Sequence, residues 1–65
     1  MTLAINEIVR LLEDVHLEGI CSGSLGVIVA VFSEPEEAYE VEFCDEKGAT
    51  TAQVALKPSQ FEAMT

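Results

Sequence analysis

Sixty-five residues, with twelve acidic and three basic side chains and a formal charge of −9, describe one small and strongly anionic domain. That charge repels nucleic-acid phosphate and anionic lipid headgroups, which argues against polyanion binding and leaves cationic partners. Only ~60% of the surface of so short a chain is buried on folding, yet 49% of its residues are hydrophobic, so apolar side chains remain outside and a homo-oligomer or partner-bound module is expected.

At the N-terminus Ile5, Ile8, Val9 and Leu12 recur at i, i+3, i+4 and i+7, the spacing of an amphipathic helix over about 2–12. The competing reading is a strand through Ile8–Leu12, because the hairpin-linked strands that follow do not close a core without one more. The segment has no basic stretch leading into an apolar run, and nowhere does the chain approach the ~18 apolar residues of a membrane span. A cytoplasmic protein with reduced thiols and no membrane contact is expected. Residues 13–24 read as a long loop pinned by Gly19 and Gly23, in which Leu17, Ile20 and Leu25 at its end stand partly exposed.

Leu25–Phe32 is a β-branched run bounded by glycines and by Ser33-Glu34-Pro35, the signature of a strand buried on at least one face. Ala38–Cys44 alternates strictly, with Tyr39, Val41 and Phe43 on one face and Glu40, Glu42 and Cys44 on the other. Asp45-Glu46-Lys47-Gly48 supplies turn chemistry, so a hairpin follows. A four-residue loop sets Cys44 against Ala49, Val41 against Ala52, Tyr39 against Val54, Glu42 against Thr51 and Glu40 against Gln53. Pro58 ends that strand, and Pro58-Ser59-Gln60-Phe61 suits one 3₁₀ turn that returns Phe61 to the core.

The order of these features, above all Tyr39-Glu40-Val41-Glu42-Phe43, Leu56-Lys57-Pro58-Ser59-Gln60 and the glycine-bounded Gly23-Ser24-Leu25-Gly26-Val27, resembles a family of small uncharacterised bacterial proteins. That family is a domain of unknown function common in cyanobacteria, and the likeness covers about residues 7–61. The resemblance implies an all-β fold, a five-stranded SH3-like barrel with a long first loop and a short 3₁₀ turn before the last strand. It favours the strand over the helix at the N-terminus. Strands are then expected near 7–13, 25–32, 38–44, 49–56 and 60–63 of one domain spanning 1–65, with 1–6 and 62–65 as frayed ends. The pairing of such small genes with a second small reading frame implies a role of the antitoxin or immunity kind.

The chemistry-bearing residues are sparse. His16, Cys21 and Cys44 are the only soft metal ligands and have no ligand spacing, so no metal, cofactor or catalytic residue is expected. Glu40 and Glu42 could serve as an acid–base pair, but side by side on one strand they read more simply as a solvated face. The chain lacks Trp, which disfavours an aromatic groove for polyproline. The resulting expectation is a non-catalytic, acidic protein-interaction module for a basic protein partner. Glu36, Glu37, Glu40 and Glu42 would steer that partner, and Leu17 and Ile20 would dock it. The alternatives are an accessory SH3-like subunit of a larger enzyme and a homo-oligomeric structural protein.

Overall fold

A computed structural model describes residues 3–45 and 47–64; Met1, Thr2, Glu46 and Thr65, which belong to the expected ends and turn, lie outside the described residues. The N-terminal third is a strand: β1 spans Ile8–Leu11 and alternates exposed and buried positions. The helical set Ile5, Ile8, Val9 and Leu12 does not share a face. Val9 and Leu11 point inward, while Ile5, Ile8 and Leu12 are exposed. The period of two wins because β1 is paired on both sides, with β2 at Ile8↔Val27 and with β5 at Leu11↔Phe61.

The remaining elements are a 3₁₀ turn at His16–Glu18 in the first loop, β2 at Leu25–Phe32, β3 at Ala38–Cys44, β4 at Thr50–Leu56, a second 3₁₀ turn at Pro58–Gln60 and β5 at Phe61–Ala63. They form one five-stranded antiparallel sheet in the order β4-β3-β2-β1-β5. Glu62 and Ala63, at the expected frayed end, pair with Arg10 and Val9.

The sheet coils on itself. The strands β3 and β5 are three places apart in the sheet, ~14 Å if it were flat at ~4.8 Å per strand, yet the rings of Tyr39 and Phe61 meet edge to face with centroids 5.5 Å apart. Inside the coil lie Val9, Leu11, Ile28, Tyr39, Val41, Phe43, Leu56 and Phe61. No pairing joins β4 to β5 among the described residues, so the sheet is curled but not closed.

Two irregularities set which side chains face in. In the β3–β4 hairpin Tyr39 opposes Leu56 and Val41 opposes Val54, two residues beyond the register expected from a four-residue loop. The loop runs from Asp45 to Ala49, closed by Asp45 N–H to the Ala49 carbonyl at 2.9 Å, and one side-chain oxygen of Asp45 accepts from the amides of Lys47 and Ala49. Loop lengthening contributes one residue of the shift, and a bulge at Thr51 contributes the other. Because strand faces repeat every two residues, a shift of two leaves the inward set unchanged. In β2 the pairs Ile28↔Val41 and Ala30↔Glu40 leave Val29 as an extra residue. Beyond this bulge the faces exchange, so Val31 opposes Tyr39 while Phe32 opposes Ala38 and remains exposed.

Candidate protein-interaction site

The strand alternation that sends Val9, Ile28, Val41 and Phe43 inward sends a second apolar set outward. Ile8, Val27, Glu42 and Gln53 stand in one row across β1, β2, β3 and β4, through the pairs Ile8↔Val27, Val27↔Glu42 and Glu42↔Gln53. The adjacent row has Arg10 opposite Leu25 and Glu62 opposite Arg10. Ile8 is 50% and Leu25 54% exposed. Together with Val27, Glu42 and Cys44 they line a shallow groove of about 190 Å³. Its walls are apolar along β1 and β2 and end in a carboxylate on β3.

The charged side chains on this face differ in their commitments. Arg10 donates from Nε to Glu62 Oε2 at 2.8 Å, so that cation is satisfied within the chain. Glu40 accepts from the Gln53 amide at 2.9 Å. Glu42, half-buried, has no ion-pair partner among the described residues, which leaves its charge available to an incoming cation.

Of the residues expected to steer or dock a partner, the structure brings Glu40 and Glu42 together on the outer face and places Glu36 and Glu37 in the loop before β3. Glu36 is 3.7 Å from Lys57 Nζ, with both side chains about two-thirds exposed, so the pair contributes little to stability. Glu37 accepts a hydrogen bond from the Tyr39 hydroxyl. Leu17, on the first 3₁₀ turn, is 98% exposed. Ile20 is the correction: only 8% exposed, it belongs to the core. It bridges Val15, with backbone bonds between them in both directions, so the loop doubles back and carries Ile20 into the core. A left-handed Gly19 just before it makes that reversal.

Sequence reasoning passed over Ile8 and Val27 as surface residues. The signal was present in the parity of the strands: with Tyr39, Val41 and Phe43 inward, antiparallel pairing sends Gly26 and Ile28 inward and Leu25 and Val27 outward.

A second cavity, of about 380 Å³, lies beyond the Leu25 end of the groove, lined by Glu18, Ile20, Cys21, Phe43 and Cys44 among others. It shares Leu25 and Cys44 with the groove, so the loop that carries Leu17 borders the same surface. Both cysteines are exposed and free. Among the described residues no three His, Cys, Asp or Glu side chains are grouped to hold a metal ion, and no helix is long and apolar enough to cross a membrane.

Tyr39 is a buried titratable group whose hydroxyl is engaged by Glu37. The Glu37 carboxylate that accepts its hydroxyl proton raises the phenol above its ordinary value of 10, and burial acts the same way. A proton held more tightly in the folded state than in the unfolded one gives stability that is complete below pH ~10 and is lost as pH climbs through the folded-state value. Alkaline unfolding is therefore expected to be less steep with pH in Tyr39→Phe than in the parent chain, as read by urea denaturation at a series of pH values above ~9. Parallel slopes for the two proteins would exclude this role.

A small, all-β, acidic domain with an apolar groove on its outer sheet face is the class that fold and site define. Residues 5–63 match the family described as Domain of unknown function (DUF4926), and the chain belongs to it. No curated protein and no solved structure matches the chain.

Proposed function

We propose that this chain is a non-catalytic, acidic protein-interaction module built on an SH3-like barrel, and that it binds a basic protein partner with the outer face of its sheet. The observation that carries the reading is the groove itself, in which exposed Ile8 and Leu25 and half-buried Val27 run up to Glu42, a carboxylate without an ion-pair partner among the described residues. Apolar surface of this kind supplies affinity and the adjoining charge selects the partner's sign. The coil of the sheet, with Tyr39 against Phe61, supports the barrel. Cytoplasmic neutralisation of a basic bacterial protein, in the manner of an antitoxin or immunity protein, is the biological role that suits this chemistry.

In the complex the field of a −9 chain would speed the encounter, and Leu17, exposed on the loop next to Glu18 of the second cavity, would add apolar contact. Glu36, Glu37, Glu40 and Glu42 would act in steering, while Ile20 stays in the core. The test is capture by the full chain from lysate of its source cell at ~50 and ~300 mM salt, a range over which exposed charges become screened. A basic protein is expected at low salt and lost at high salt. With that protein purified, Leu25→Ser is expected to raise the off-rate about tenfold, whereas Glu40→Gln with Glu42→Gln lowers the on-rate and flattens its salt dependence. Binding unaffected by either substitution would remove the outer face from the interface.

A further inference from the structure

The two open edges of the sheet differ in how they are protected. β5 is three residues long and carries Glu62, ion-paired with Arg10; shortness and charge both discourage pairing with another chain. β4 has seven residues, Thr50-Thr51-Ala52-Gln53-Val54-Ala55-Leu56, with no charge and no proline. The bulge at Thr51 disturbs its beginning and leaves Ala52–Leu56 as regular strand. In antiparallel pairing every second residue of that stretch turns its N–H and C=O away from β3, toward the open edge.

Charge decides what occupies this edge. Two copies of a −9 chain repel wherever their carboxylates meet. The nearest acidic side chains of the sheet, Glu40 and Glu42, lie one strand inward, on β3. An uncharged strand offers a basic partner no ion pair, but it lets a second copy approach without setting carboxylate against carboxylate. We propose that β4 pairs antiparallel with β4 of a second copy of this chain, about a two-fold axis near Val54. That register sets Gln53 against Ala55 and Ala52 against Leu56, uncharged at every position, and it covers Val54, which is half-buried in the single chain. Pairing of this isologous kind joins two five-stranded sheets into one and closes after two copies.

Salt separates this assembly from binding of a basic partner, because screening strengthens the meeting of like-charged copies and weakens that of opposite charges. The full chain is to be examined by sedimentation velocity over a concentration series at ~20 and ~300 mM salt. The expected result is a shift from 7.0 kDa to twice that mass, with the dimer fraction at fixed concentration rising severalfold at the higher salt. Amide hydrogen exchange under dimeric conditions is expected to show alternate amides of Ala52–Leu56 protected about tenfold more than in the dilute chain. Val54→Pro and Ala55→Pro give a paired control: one removes an amide that faces β3 and the other an outward one, and the variant that stays folded by circular dichroism is expected to be monomeric. A chain that stays monomeric at millimolar concentration at both salts, a dimer whose β4 amides stay unprotected, or a folded proline variant that still dimerises overturns the proposal.

Discussion

Phe61→Ala is expected to bring the chain close to unfolding under conditions where the parent is fully folded. Phe61 is buried, and it is the side chain that fastens β5 to the interior, with its ring edge to face against Tyr39 on the far side of the coil. Truncating a buried phenylalanine to alanine costs about 3–5 kcal/mol, while a domain of this length holds roughly 3–10 kcal/mol in all. The loss falls on the contact that curls the sheet, so Leu11 and Tyr39 lose cover together. Urea denaturation followed by circular dichroism should place the midpoint of Phe61→Ala at less than half that of the parent, and Phe61→Leu between the two. An unshifted midpoint would mean that the Tyr39–Phe61 contact does not hold the coil.

The second large effect is expected at Gly26, where alanine should destabilise although alanine ordinarily suits a strand better than glycine. A Cβ built on Gly26 comes within 2.6 Å of Val41 Cγ1 and 3.0 Å of Phe43 Cδ1 and Cε1. These are buried side chains of the strand paired with β2, so the added methyl meets packed atoms. Overpacking of this kind costs about 1–3 kcal/mol, which for a domain of this size lowers the melting temperature by roughly 5–20 °C. Val41→Ala removes the nearest clashing atom, so the double variant Gly26→Ala, Val41→Ala should lose less than the two single variants summed, as neighbours in contact do. Additive losses in that cycle would place the strain elsewhere.

Much of this architecture is legible in the order of residues. The alternation of Tyr39, Val41 and Phe43 against Glu40, Glu42 and Cys44 fixes β3 and its inner face, and Pro58 marks the turn that ends β4. What escapes is governed by single extra residues. Val29 and Thr51 are bulges, and no local feature of the apolar run 25–32 or of the uncharged run 50–56 announces them. The Val29 bulge turns Phe32 outward where plain alternation turns it inward. Ile20 escapes for a different reason: it sits in a glycine-flanked loop with the composition of surface, and its burial depends on the bridge to Val15 that only the folded loop creates. The outer apolar face is half legible. Its carboxylates stand out in a strand of mixed character, but Ile8 and Val27 are outward residues in segments apolar on both faces, and the choice of face there rests on β1 being paired on two sides.

The pairing of β1 with β5 also bears on the order in which the sheet assembles. Arg10 and Glu62, linked across that seam, are 52 residues apart in the chain, whereas Asp45–Ala49 closes the β3–β4 hairpin over about a tenth of that span. Each doubling of a loop adds only ~0.6 kcal/mol to the entropy of closing it, so the seam costs about 2 kcal/mol more to form from an open chain than the hairpin does. The hairpins of β2, β3 and β4 can therefore form while the two ends of the chain are still apart, and with Phe61 belonging to the seam, the interior is expected to become dry only once the seam has closed.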